Sequence, residues 1–246
     1  MGLSQYLRQG IVATFLLLVS YNNLTPASAK IIEAGVEHSV MLAPVPVELQ
    51  PGRKFRRQPL RDETVRWAKI PTLTAGKWKL LRKFNASTLD LRTGKQTSKP
   101  SEKYDNSIAY IGYQSDSQQN IWTCAEIESK QIHSDGTYLI PSYWNLNQTS
   151  DHAFTVIKRG FSVSVDPDSH VIQDTKQLET FATFDLIAPN KLLQKYSTQW
   201  FDAAGEAIKL TEGQTEMERA GEFKPVNELN GIDVRASFKR FVRDGR

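Results

Sequence analysis

Gln177-Leu-Glu-Thr-Phe-Ala-Thr-Phe-Asp-Leu186 and Lys191-Leu-Leu-Gln-Lys-Tyr-Ser-Thr-Gln-Trp-Phe201 are two strand-like runs joined through Ala188-Pro189-Asn190. Asp202-Ala-Ala-Gly205 turns the second into a third run, Ala207 to Arg219, which sets Ile208, Leu210 and Met217 against a polar face. The connections are too short for a helix. Parallel neighbours need such crossovers, so these strands form an antiparallel meander.

Working outward, further strands are predicted over Lys77–Phe84, Ser107–Tyr113 and Asn120–Ser129. The last of these sets Ile121, Thr123, Ala125 and Ile127 opposite Trp122, Cys124, Glu126 and Glu128. Asp135-Gly136 marks a tight turn into Thr137–Ile140, with Ala153–Lys158, Phe161–Val165 and His170–Gln173 after it. About nine or ten strands of this kind curl or close to remove their edges. The expectation is a mainly β fold, an antiparallel up-and-down barrel of about 8–10 strands. A helix over 232–243 completes it, with Val234, Phe238 and Phe241 or Val242 at helical spacing among basic residues.

The start of the chain reads as an export signal over residues 1–29. Arg8 precedes the apolar run Ile11–Val19, and Ala27-Ser28-Ala29 supplies the small residues a signal peptidase accepts. The rival reading, a membrane anchor, needs roughly 20 apolar residues, about twice this run. The mature protein is then expected to start at Lys30 and to be periplasmic or secreted. Loss of Arg8 lowers the net charge from +4 to +3, an excess too small to argue for nucleic acid. Cys124 is the sole cysteine, so no internal disulfide can form, and it reads as a small buried hydrophobe.

Residues 30–61 contain Pro44, Pro46, Pro51 and Pro59 and read as an extended arm. Its basic end, with Arg53, Lys54, Arg56 and Arg57, is a candidate docking surface for an acidic protein or membrane, or a solvated linker. A short helical turn is expected over Asp62–Lys69, and residues 62–246 form one domain.

Gly76-Lys77-Trp78 at the head of the first strand, after a turn and before a run of strands and a terminal helix, resembles the lipocalins and their calycin relatives. The Thr-Asp-Tyr motif of that family is absent. The resemblance implies a lipocalin-like barrel with a ligand cavity, and a Trp78 that plugs one end beneath an arginine. Arg219 is the natural counterpart, with Arg235 the other candidate.

Catalytic chemistry finds no constellation. His38, His133, His152 and His170 are isolated and read as solvated loop residues, so no metal site and no cofactor are expected. No nucleophile elbow or phosphate-binding loop occurs. Asp166-Pro167-Asp168 reads as a turn rather than a calcium loop. Glu126 and Glu128 share a strand face, which more often means a solvated surface than acid–base work. Aromatics are the richer inventory: Trp78, Trp122, Tyr143, Trp144, Tyr196 and Trp200 lie on or beside strands, and Tyr110 on another. Trp78, Tyr110, Trp122, Tyr196 and Trp200 are the cavity candidates. The expected function is non-enzymatic binding of a lipid or other apolar small molecule. The alternative is an accessory protein docking through its basic arm and terminal helix.

Overall fold

A computed structural model of the chain describes residues 37–56, 67–124, 136–229 and 231–244. The chain divides into two units, Met1–Glu37 and His38–Arg246, and every strand and helix described belongs to the second. The expected signal segment, Arg57, His133, and Glu126 and Glu128 lie outside the described residues.

Strands dominate. In chain order they are β1 (Trp67–Ile70), β2 (Gly76–Asp90), β3 (Gln96–Ser98), β4 (Ser101–Tyr104), β5 (Ile108–Ile111), β6 (Gln114–Ser115) and β7 (Ile121–Cys124). Next come β8 (Thr137–Gln148), β9 (Ala153–Val165), β10 (Ile172–Ala188), β11 (Lys191–Phe201) and β12 (Ala207–Gly221). The short pair β13 (Glu228–Leu229) and β14 (Ile232–Asp233) leads into one helix, α1 (Val234–Arg243). The expected strands 153–158 and 161–165 are one continuous element, β9, and the runs from 170 and 177 merge into β10.

The long strands form one antiparallel sheet in the order β2–β12–β11–β10–β9–β8. Across its outer edge β2 pairs successively with β5, β4 and β3. Hydrogen bonding does not close this sheet into the expected barrel among the described residues. The outer edge of β2 is occupied by the three short strands, and a separate sheet, β1–β7–β6, lies between, with β1 alongside β8. The sheet nevertheless curls. Trp78 of β2 and Trp144 of β8, the first and last of the six long strands, belong to one buried cluster with Phe154, Val156, Leu192 and Met217. The face carrying these residues is therefore concave.

Of the helical turn expected over Asp62–Lys69, residues 62–66 lie outside the described residues, and the remainder is corrected by β1: Trp67 to Ile70 are extended and pair with Cys124 to Ile121. Burial of Trp67 and Ile70 favours the ladder over a local turn. A 3₁₀ turn forms instead at Thr72–Thr74, immediately before Gly76-Lys77-Trp78. Gly76 has φ +145°, and a Cβ there would come within 2.9 Å of Arg219 Nη1 and 2.8 Å of the Gly221 carbonyl. Only glycine fits that approach.

Trp78 is fully buried, and its indole N–H donates to the Thr74 carbonyl at 2.9 Å. The Arg219 guanidinium lies 4.4 Å from the Trp78 ring centroid. It donates to the carbonyls of Ala75 (2.8 Å), Leu73 (2.6 Å) and Pro189 (3.1 Å). Arg235, the other sequence candidate, sits on α1. That helix is capped by Asp233, whose carboxylate accepts from the Ala236 N–H at 2.8 Å, and buries Val234 and Phe238 against Trp67, Tyr113 and Cys124.

The arm also packs. His38 to Arg56 belong to the same unit as the sheet and run across its convex face as a strap. Leu42 and Val45 donate backbone N–H bonds to the carbonyls of Gly205 and Ala203, and Gly52 and Phe55 to those of Ile172 and His170. Val45 is buried, while Leu49 and Phe55 join Val163, Val165 and Ile172 in a second apolar layer. Gly205 permits the approach, since a Cβ there would fall 2.0 Å from the Leu42 carbonyl oxygen.

Replacing Trp78 by Ala removes a fully buried ring and is expected to cost about 3–5 kcal/mol in urea unfolding. Arg219→Leu, which strands three carbonyls, is expected to cost about 1–3 kcal/mol. A loss under about 1 kcal/mol for Trp78→Ala would show that this end of the sheet is not a cooperative part of the fold.

Candidate binding site on the concave face

Burial changes sides along the long strands. On β11, Leu192 is buried on the concave face, whereas Ser197, Gln199 and Phe201 are buried on the convex face beneath the strap. On β10, Ala182 is buried on the concave side and Thr175, Gln177 and Glu179 on the other. β9 repeats the pattern, with Phe154 and Val156 giving way to Val163 and Val165. One half of the concave face is thus filled by the protein's own side chains, and Phe154 and Phe184 stack there at 4.6 Å. The other half, on the same central strands, stays partly exposed through Leu178, Thr180, Tyr196, Thr198 and Trp200.

Register places these residues in rows. Trp144, Lys158, Thr180, Thr198, Thr211 and Thr88 are successive cross-strand partners from β8 to β2. Thr180 and Thr198 share a hydrogen bond of 2.9 Å. The adjacent row carries Gly160, Leu178, Trp200 and Lys209, with the Lys209 ammonium 4.6 Å from the Trp200 ring. On the other side of the threonine row Tyr196 lies over Gly213, its hydroxyl donating to Asn85 Oδ1. Lys83 lies 5.6 Å from the Tyr196 ring. Burial pushes the Tyr196 phenol up, and burial with nearby Lys176 holds the Lys209 ammonium below its usual range.

Of the sequence candidates, Trp78, Tyr196 and Trp200 lie on this face. Trp122 lies under α1, within 5.3 Å of Phe241 and 6.0 Å of Phe238, and donates to Asp116 Oδ2 at 3.0 Å. Tyr110 pairs with Lys77, one position out of register with Trp78, and is exposed on the opposite face. Arg53, Lys54 and Arg56 are exposed at the end of the strap. The Asp166 carboxylate accepts from the N–H groups of Asp168 and Ser169, as a turn requires. A separate open pocket of about 350 Å³ lies near β1, lined by Lys69, Leu73, Asn120, Gln148 and Asp151, with none of the aromatic candidates.

The convex face holds a polar cluster that sequence spacing offered no means to find. Reading His38 as a solvated loop residue is corrected, for its side chain is 5% exposed and contacts a fully buried Glu179. Glu179 accepts from His38 Nδ1 (3.1 Å), the Ser39 N–H (2.8 Å), the Ser39 hydroxyl (2.9 Å) and Arg159 Nε (2.7 Å). Burial pushes this carboxyl up. The bonds from His38, Ser39 and Arg159 outweigh it and bring it down to about 2. His38 Nε2 meets Ser197 Oγ at 2.9 Å.

Serine, imidazole and carboxylate in that order are the parts of a hydrolytic triad. Here Ser197 is buried within a strand under the strap, and Arg159 already compensates the carboxylate. The cluster instead fastens the strap to β10 and β11. Gln199 adds a bond to the Ser39 carbonyl at 2.9 Å, and Gln177 one to Ala43 at 2.8 Å.

No protein-family model matches the chain, and no curated protein matches it. Among the described residues no helix is long and apolar enough to cross a membrane.

Two outcomes check the clasp that Glu179 makes. Because its folded pKa lies below the ordinary value of 4.5, its stabilisation is complete above about pH 4.5 and lost as pH falls toward about 2. Unfolding free energy measured across that window should decline, and less steeply in Glu179→Gln; identical slopes would remove Glu179 as the cause. A fluorophosphonate probe should leave Ser197 unlabelled in the native protein, and stoichiometric labelling would instead make it a nucleophile.

Proposed function

We propose that this is an exported binding protein whose concave face, a lipocalin-like barrel open along one seam, receives a small molecule with substantial apolar surface. The observation that carries the reading is the half-exposed inner face of the central strands β10 and β11. On these central strands the partly exposed inward side chains mark a surface that the described residues leave incompletely covered. Here that surface combines Leu178, Trp200 and Tyr196 with threonine hydroxyls, the mixture of apolar walls and few polar handles that small-molecule sites use. The filled half beneath it, from Phe154 to Met217, supplies a rigid base. Export before Lys30 rests on the signal-like segment.

A second reading, docking on an acidic partner or membrane, rests on the exposed Arg53, Lys54 and Arg56. The helix contributes less to it. Its apolar residues Val234 and Phe238 are committed to Trp67 and Tyr113.

A neutral apolar fluorophore, N-phenyl-1-naphthylamine, should bind the mature chain with enhanced emission. Leu178→Asp and Trp200→Ala should each weaken binding about tenfold or more. Tyr110→Ser, on the opposite face, should leave it unchanged. Saturable binding indifferent to Leu178 and Trp200 would place the ligand elsewhere, and no binding would remove the carrier reading.

A further inference from the structure

The register of β2 and β4 sorts charge between the two faces of the sheet. Arg82 and Glu102 lie on the convex face, where Arg82 bonds Glu102 at 3.3 Å and Glu216 of β12 at 2.6 Å. Lys83 and Lys103 alternate with them and are direct cross-strand partners on the concave face. The Lys83 ammonium lies 5.6 Å from the Tyr196 ring, and Asn85, two residues on, meets the Tyr196 hydroxyl. Side chains at opposed positions start about 5 Å apart, and like charges there repel.

No carboxylate relieves this repulsion. Among the described residues neither lysine forms an ion pair. The concave-face positions around them are uncharged: Thr215 and Gln194 continue their row, and Ser101 and Asn85 form the start of the next. Both lysines are exposed, and β4 lies on the outer edge of β2, beside the seam along which the sheet stays open. Tyr196 walls the Lys83 side. Burial pushes its phenol up, so its ring adds no negative charge.

We infer that Lys83 and Lys103 hold a phosphate group of the ligand, as its dianion, while the apolar body of that molecule lies over Tyr196 toward Trp200 and Leu178. This rests on the carrier reading above and specifies its chemistry. Ammonium groups offer donors and no acceptor, so they suit a ligand group made of acceptors. A phosphate monoester carries close to two negative charges at neutral pH and three strong acceptor oxygens. It matches two opposed point charges better than a singly charged carboxylate does. Lodged between the lysines, it also removes the repulsion that the empty pair retains.

The test compares decyl phosphate, decanoate, 1-decanol and inorganic phosphate on the intact mature chain by calorimetry, with the amphiphiles below their micellar ranges. Decyl phosphate should bind about tenfold or more tightly than 1-decanol, with decanoate between them. Lys83→Met and Lys103→Glu should each abolish that preference and leave 1-decanol affinity intact. Lys103→Glu sets a carboxylate opposite Lys83, so its thermal midpoint should not fall, which separates lost binding from lost folding. Lys195→Met, on the convex face, should change nothing. Inorganic phosphate should compete weakly. If it binds as tightly as decyl phosphate, attachment to an apolar body is overturned and the site is one for the free anion. Decyl phosphate bound no better than 1-decanol or decanoate, or unaffected by Lys103→Glu, overturns the inference while the carrier reading stands. Failure of 1-decanol and both anionic amphiphiles to bind overturns both.

Discussion

The guanidinium of Arg219 over the indole of Trp78 fixes one end of the sheet, and the filled half of the concave face depends on it. Its three carbonyl partners come from the 3₁₀ turn before β2 and from the turn between β10 and β11. Without these donors, backbone acceptors at that end would lose their partners on burial. With them, Trp78 becomes a flat stop on which Met217 and Leu192 pack. Gly76 belongs to the same device, because a side chain there would displace the arginine.

The opposite end is organised from the other face. The strap brings Val45, Leu49 and Phe55 onto the convex side, so β9, β10 and β11 satisfy their burial there and need no second layer on the concave side. Glu179 holds the beginning of the strap. A carboxylate in a dry environment is unfavourable unless its lone pairs are occupied, and four donors from His38, Ser39 and Arg159 occupy them. Packing at one end and the strap at the other together leave a rigid surface with a single uncovered half.

That half is chemically asymmetric. Apolar contact area comes from Leu178, Trp200 and Tyr196, hydroxyls from a ladder of threonines, and charge from lysines with few opposing carboxylates. The contact between Ser197 and the His38 imidazole lies on the other face, in the interior of the clasp, where it holds the chain together.

The long strands, their antiparallel succession and the terminal helix are legible in the amino-acid sequence, because period-2 alternation, Asp202-Ala-Ala-Gly205 and the helical spacing of Val234 and Phe238 are local signals. Trp78, Tyr196 and Trp200 can be named as inward rings for the same reason. Nothing local shows that His38 is buried, that Trp122 lies under α1 or that β1 is extended. Alternation divides a strand into two faces without saying which is covered, and a long strand can be covered on different faces at its two ends. Tertiary packing makes that choice. His38 meets Glu179 across 141 residues and Ser197 across 159, and no local pattern encodes a contact between segments so far apart.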